Sequence, residues 1–119
     1  MFLSAASGLD WTACRALLED RIPGVVAQAV KDADTLFGVE LPAMATRTFG
    51  PERAAAIGCP VLSVLGTDTL PPFVEVAAFL RASLPDIEEC PIEGVDHLLH
   101  IQRPEAVAEF LGRHPMARV

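Results

Sequence analysis

Two side chains in the second half of the sequence have the types and positions that proton transfer requires. Asp68 comes shortly after an apolar run at residues 61–65, and His97 lies in a turn-like segment at residues 94–99. A carboxylate on one imidazole nitrogen fixes the tautomer and stabilises the protonated ring, so the other nitrogen can accept a proton from a nucleophile. We therefore expect His97 to be a general base that is oriented by Asp68, provided that the fold brings the two side chains together.

A nucleophile for this base is not recognisable in the sequence. There is no G-x-S-x-G motif, the strand-to-helix turn that exposes a serine. The three cysteines, Cys14, Cys59 and Cys90, are widely spaced and never form a C-x-x-C pair. We expect them to be reduced and mostly buried, and a cysteine nucleophile is the less favoured alternative because no setting that lowers a thiol pKa is apparent.

The other histidines are weaker candidates for chemistry. His97 and His100 have the spacing of a helical metal pair, but no third ligand is apparent, so a metal site is not favoured. We expect His100 and His114 to be ordinary surface residues. Asp96 directly precedes His97, and adjacent side chains usually point apart. We therefore expect Asp96 to form a turn rather than to act as the acid that pairs with His97.

The elements that would position Asp68 and His97 are a strand, a helix, a second strand and a closing helix. Residues 61–65 form a nearly unbroken apolar run between Pro60 and Gly66, which is typical of a strand covered on both faces in a parallel sheet. Helical periodicity follows over residues 72–84, and residues 86–92 are a weaker, edge-like strand candidate. Pro104 is well placed to begin a helix that continues to Gly112.

This order predicts a right-handed parallel unit whose strands end at the same edge of a sheet. The loops that carry Asp68 and His97 should therefore meet there. Two strands cannot form a covered sheet by themselves, and the strand at residues 61–65 should have neighbours on both sides. A further strand, from a partner chain or from other polypeptide, is implied.

The first half of the chain has an interrupted helical pattern over residues 9–57. Asp10 is a plausible N-cap for a helix that begins at Trp11, Pro23 suits the first turn of the next helix, and Gly38 can end that helix. Further short helical elements are expected around residues 41–49 and 51–57. Trp11, Phe37 and Phe49 are expected to be packing residues, with the lining of an apolar substrate pocket as the alternative.

These residues resemble a known family, the serine-hydrolase branch of the α/β-hydrolase superfamily. Residues 57–66 look like its penultimate core strand, residues 84–97 like its last strand and catalytic-histidine turn, and residues 103–111 like its closing helix. The segment before Gly58 is similar to the helical cap that the family inserts over its active site. The resemblance implies an α/β fold with two domains: a helical cap segment at residues 1–57 and the C-terminal part of the hydrolase core at residues 58–119.

The resemblance also implies a function and its limits. His97 would be the catalytic histidine of an enzyme that acts on an apolar ester or similar acyl bond, without any cofactor. The family usually has its acid three residues after the strand-ending glycine, where this chain has Thr69, so Asp68 would have to take that role from a shifted loop. The serine elbow, the oxyanion-hole loop and the earlier strands are missing, so the chain alone should be inactive.

Composition excludes several classes of partner. The chain of 119 residues has 9 basic and 16 acidic residues, a net charge of −7, so nucleic acid and anionic membranes are unfavourable partners. No apolar stretch is long enough for a membrane span, and the N-terminus lacks the basic region of a signal peptide. We therefore expect a cytoplasmic protein.

Two hypotheses from other classes remain. The chain could be a non-catalytic interaction or complementation module built on a hydrolase remnant, with an exposed strand edge as its binding surface. It could also be a small two-layer α/β binding domain unrelated to hydrolases, in which replacement of His97 would change only local stability.

Overall fold

The computed structural model describes residues 2–113, with side chains from residue 4 onward. The first half is helical, and its elements are α1 (Phe2–Ser7), α2 (Trp11–Arg21), α3 (Val25–Thr35), a π-helical turn (Leu36–Glu40), α4 (Leu41–Ala45) and α5 (Pro51–Ala55). The second half contains β1 (Val61–Gly66), α6 (Pro71–Ser83), β2 (Ile87–Ile92), α7 (Leu99–Gln102) and α8 (Pro104–Arg113). His114 lies outside the described residues.

The start of α2 is where the sequence predicts it. The Asp10 carboxylate accepts hydrogen bonds from the backbone N–H groups of Thr12, at 2.9 Å, and Ala13, at 3.1 Å. These are two of the N–H groups that a helix leaves without partners at its first turn, so Asp10 is a true N-cap.

The predicted bounds of α3 are wrong at both ends. The helix begins at Val25 rather than at Pro23, because Gly24 has a left-handed φ of 83° and reverses the chain first. The Glu19 carboxylate accepts hydrogen bonds from the N–H groups of Gly24 and Val26, at 2.8 and 3.1 Å, and so caps this start. Gly38 does not end the helix, since the chain passes through the π-helical turn directly into α4.

The second half confirms a mixed α/β architecture with two parallel strands. β1 and β2 pair in parallel, in a register that runs from Val61 opposite Ile87 to Gly66 opposite Ile92. α6 connects them and packs beside β1, while α8 packs beside β2. Within residues 2–113 the sheet has these two strands only. Because they run parallel, the loops that follow them lie at the same edge of the sheet.

The expectation that β1 is covered on both faces is wrong for the described chain. All five residues from Val61 to Leu65 are partly exposed. The burial of a central parallel strand comes from strands on both sides and helices on both faces. Among residues 2–113, β1 has β2 on one side and an unpaired edge on the other, so its apolar side chains remain partly accessible.

A buried cluster joins the two halves of the chain. Cys14 and Leu18 on α2 form a buried cluster with Leu98 and Ile101, and Cys14 is fully enclosed. Leu98 is the residue directly after His97, so this cluster anchors the His97 turn to α2. Residues before and after the predicted boundary at Gly58 thus share one core.

The helical segment from α3 to α4 contributes no buried residue and leaves an apolar surface exposed. Val30 is 71% exposed, and Val39 and Met44 are each 63% exposed. Trp11, Phe37 and Phe49, which the sequence predicts to be packing residues, each keep two fifths or more of their surface accessible, so they are only partly buried. Phe49 does make an edge-to-face contact with Phe79 of α6, with ring centroids 6.2 Å apart.

No helix in the described chain combines the length and apolar character that crossing a membrane requires.

Candidate functional site

Backbone hydrogen bonds join the two loops at the carboxyl edge of the sheet. The N–H of Thr67 donates to the Ile92 carbonyl at 3.0 Å, and the N–H of Asp68 donates to the Val95 carbonyl at 2.9 Å. The Thr67 hydroxyl in turn accepts a hydrogen bond from the N–H of Gly94 at 2.9 Å. The loop that carries Asp68 and the loop that leads to His97 are therefore fixed against each other, as the topology predicts.

This close approach depends on glycine at position 66. A Cβ atom there would lie 2.2 Å from the Val95 carbonyl oxygen and 2.5 Å from the Asp96 carbonyl oxygen. Real Cβ atoms do not approach backbone oxygens so closely, and the obstacle is main chain rather than a flexible side chain. Gly66 thus ends β1 because the His97 loop crosses over it.

His97 is exposed and is oriented by an aromatic contact. Its imidazole lies parallel to the ring of Phe73, with centroids 3.7 Å apart and planes within 9°. Within residues 4–113 the ring nitrogens have no hydrogen-bond partner. Because stacking uses the faces of the ring, both in-plane nitrogens remain available to donate or accept a proton.

Asp68 lies in a loop that is hydrogen-bonded to the His97 loop, but its side chain has another partner. Its carboxylate accepts one long hydrogen bond, at 3.3 Å, from the hydroxyl of Thr67. In the part of the chain that the structure describes, no hydrogen bond or ion pair links the Asp68 carboxylate to the imidazole. The structure brings the two loops together, and the contact between these side chains stays a prediction.

Asp96 is the buried acid of this loop, and it forms the turn as predicted. One carboxylate oxygen accepts a hydrogen bond from the Leu98 N–H at 2.7 Å, and the other accepts one from the Gln102 side-chain amide at 2.9 Å. The Gln102 amide oxygen accepts from the N–H of Asp96, also at 2.9 Å. This reciprocal pair fixes the backbone on which His97 is carried.

Sequence reasoning missed Gln102 and undervalued Thr69. Nothing in the pattern around Gln102 distinguishes it from an ordinary polar helix residue, since its partner is six positions away. Thr69 holds the position at which the hydrolase resemblance would place an acid, and its hydroxyl oxygen is buried without a hydrogen-bond partner among the described residues. The feature of the sequence that could have drawn attention to Thr69 is its position three residues after Gly66.

A cleft of about 370 Å³ runs from His97 along one side of α6. Apolar side chains of α6 form one wall, and residues of β1 contribute to the other. Ser63, Thr69, His97 and His100 are the polar residues of its lining, and the hydroxyl oxygen of Thr69 is itself buried. The α6 residues in this wall are Phe73, Val76, Ala77 and Leu80, which lie at positions i, i+3, i+4 and i+7 of the helix and so share one face.

The cysteines give no support to thiol chemistry. All three are free: Cys14 is buried, Cys90 is partly buried and Cys59 is exposed, so the expectation that most are buried holds only in part. Burial raises the pKa of the Cys90 thiol. A raised pKa disfavours the thiolate, which is the nucleophilic form.

Among the described residues, no group of three or more histidine, cysteine or carboxylate side chains is placed to hold a metal ion. His100 is exposed, as expected of a surface residue.

No protein-family model, curated protein or solved structure matches the chain. Any relationship to the α/β-hydrolases therefore depends on the residues and geometry described above.

Proposed function

We propose that the chain is the C-terminal part of an α/β-fold serine hydrolase that acts on an ester or similar acyl bond. His97 is the general base and acid, and Asp68 is the carboxylate that orients it. The serine nucleophile comes from polypeptide outside this sequence, either more of the same product or a partner chain. The chemistry uses side chains and backbone donors, so no cofactor is needed. We propose a cytoplasmic location.

The observation that carries this proposal is the hydrogen bond from the Asp68 N–H to the Val95 carbonyl, at 2.9 Å. It fixes the loop after β1 to the loop that bears His97. Functional groups in open parallel sheets are found beyond the carboxyl ends of the strands. An acid and a base held at that edge by main-chain bonds are a suitable arrangement for acyl transfer.

The ring nitrogens of His97, which have no hydrogen-bond partner within residues 4–113, suit the proton transfers of this reaction. The imidazole accepts the serine proton as the hydroxyl oxygen attacks the acyl carbon, and it returns that proton to the departing alcohol. In the second half of the reaction, the imidazole deprotonates water, which attacks the acyl-enzyme and releases the acid and the serine. Asp68 contributes by turning from its weak contact with Thr67 towards the imidazole.

The unpaired edge of β1 supports the requirement for further polypeptide. β1 is apolar, partly exposed and bonded on one side only within residues 2–113. A strand paired with this edge would bury Val61–Leu65 as a central parallel strand requires.

The test has two parts. The purified 119-residue chain should neither hydrolyse p-nitrophenyl butyrate nor react with a fluorophosphonate, which labels activated serines. The coding sequence upstream of Met1 should then be read for an in-frame G-x-S-x-G motif, or the native product isolated with any partner. Esterase turnover by the 119-residue chain alone, abolished in His97→Gln, would contradict the need for an external nucleophile.

A second candidate function is a non-catalytic interaction module, favoured by the exposed apolar side chains of the α3–α4 segment. Val30, Val39 and Met44 are each exposed over more than three fifths of their surface, and clustered exposure of apolar side chains is typical of interaction surfaces. This candidate predicts that His97→Gln leaves every function of the native product unchanged, whereas Val39→Asp abolishes an interaction.

A further inference from the structure

The backbone on both sides of His97 is held by one pair of side chains. The N–H of Asp96, on one side, donates to the amide oxygen of Gln102 at 2.9 Å. The N–H of Leu98, on the other side, donates to the Asp96 carboxylate at 2.7 Å. The Gln102 amide donates to the second Asp96 oxygen at 2.9 Å and so joins the two contacts. His97 therefore lies between two anchored peptide groups.

The surroundings of this pair make the arrangement rigid. Asp96 is only 6% exposed, and Gln102 is partly buried, so their hydrogen bonds are stronger than they would be in water. Leu98, the next residue after His97, is buried in the cluster with α2. The backbone that carries His97 thus has little freedom to turn.

The network needs a particular set of donors and acceptors rather than particular residues. Two backbone N–H groups each need an acceptor, and the link between the side chains needs one donor and one acceptor. One carboxylate and one carboxamide supply this set. Two carboxamides lack an acceptor, whereas two carboxylates lack the donor and bring like charges together. A carboxamide at position 96 with a carboxylate at position 102 supplies the full set again, with the same shapes and the same total charge.

We propose that Asp96 and Gln102 are a positioning pair for His97, and that proton transfer at the imidazole depends on the hydrogen bonds between them. The pair touches no reacting atom. It sets where the imidazole lies by fixing the peptide groups before and after it. The inference rests on the proposed function for what the imidazole does, whereas the positioning itself concerns the described chain alone.

An exchange of the two functional groups tests the proposal in the purified chain. Stacking on Phe73 gives the imidazole protons of His97 distinctive NMR resonances. Asp96→Asn and Gln102→Glu should each shift these resonances, because each leaves one hydrogen bond of the network unmade. The double variant, Asp96→Asn with Gln102→Glu, should restore them, because it rebuilds the complete network.

The same variants test the consequence for chemistry in the native product. Each single substitution should slow fluorophosphonate labelling of the serine about tenfold to a hundredfold, the scale of loss that a misplacement of about 1 Å causes. The double variant should recover most of the labelling rate.

The matched control is a second glutamine–aspartate pair, on the exposed surface of α3. The Gln28 amide donates to both oxygens of the Asp32 carboxylate, at 3.0 and 2.9 Å. Gln28→Glu, Asp32→Asn and their double variant make the same chemical changes away from His97. They should leave the His97 resonances and the labelling rate as they are in the natural chain.

Recovery in the double variant separates positioning from a general loss of stability. If the single variants unfold, the double variant should still be folded and show the natural His97 resonances. A double variant as impaired as the single ones, or single variants with natural His97 resonances or a natural labelling rate, would overturn the inference. If the native product has no activated serine, the proposed function fails, while the His97 resonances of the purified chain still decide whether the pair positions the imidazole.

Discussion

The imidazole of His97 lies face to face with the phenyl ring of Phe73, with centroids 3.7 Å apart and an interplanar angle of 9°. Phe73 is in the first turn of α6, whereas His97 follows β2, so the contact joins the crossover helix to the end of the sheet. Stacking leaves the in-plane nitrogens of the imidazole free. Phe73 therefore orients the proposed base without occupying the atoms that transfer protons.

Phe73→Leu should release His97 from this orientation. The ring current of Phe73 shifts the imidazole protons of His97 upfield, and the variant should return them to ordinary positions. Loss of the aromatic pair should also lower the free energy of unfolding by about 0.5–1.5 kcal/mol. Phe79→Leu, which alters the separate contact with Phe49, is the control. Unchanged His97 imidazole shifts in Phe73→Leu would show that the stack does not form in solution.

Gly66→Ala should be strongly destabilising. The added Cβ would lie 2.2 Å from the Val95 carbonyl oxygen, so the loop that carries His97 must move. We expect the free energy of unfolding, measured in urea, to fall by about 1–3 kcal/mol. Gly58→Ala adds the same atom where nothing lies within 4 Å, and it should change stability little. Equal effects of the two substitutions would contradict the described crossing of the loops.

Asp96→Asn should loosen the turn that carries His97. The substitution places an amide where the carboxylate accepts hydrogen bonds from both the Leu98 N–H and the Gln102 amide. A buried donor left without its acceptor costs about 1–3 kcal/mol, and hydrogen exchange at Leu98 should accelerate. Asp34→Asn, on an exposed face of α3, serves as the control. An Asp96→Asn variant as stable as the control would mean that the reciprocal pair does not form.

Acid should remove a stabilising contribution from Glu19. Hydrogen bonds from the N–H groups of Gly24 and Val26 hold the pKa of the Glu19 carboxyl below its ordinary value of 4.5. A carboxyl whose pKa is lowered by folding stabilises the fold fully above the unfolded-state pKa, and this contribution is lost as the pH falls through the folded-state pKa.

Glu19→Gln should therefore be less stable than the natural chain at pH 7, and the difference should shrink as the pH falls below 4.5. Urea unfolding at a series of pH values measures this difference in the free energy of unfolding. Glu75→Gln, on the exposed side of α6, is the control. A stability difference that does not depend on pH would show that the capping hydrogen bonds do not depend on the charge of Glu19.

Sequence patterns predicted those parts of the fold that local rules determine. Asp10 marks the start of α2, Pro104 marks the start of α8, and the apolar run ending at Gly66 marks β1, because each depends on neighbouring residues. The meeting of the loops after β1 and β2 followed from parallel topology.

The remaining features depend on contacts between distant residues. The stacking of Phe73 on His97 and the pairing of Asp96 with Gln102 arise only once α6 and α7 are packed, and no spacing rule specifies them. The continuation of α3 through Gly38 was also missed, because that glycine has no left-handed φ in this chain. The partial exposure of β1 reflects the neighbours available to it rather than its own apolar sequence.

The most direct measurement of the central claim is fluorophosphonate labelling of the native gene product, immunoprecipitated with any partner from cells that carry the natural sequence, His97→Gln or His100→Gln. We predict a labelled serine, found by mass spectrometry within a G-x-S-x-G motif, in the natural and His100→Gln products, and its loss in His97→Gln. The absence of a labelled serine from the natural product, or labelling that survives His97→Gln, would contradict the assignment of His97 as the base of a serine hydrolase.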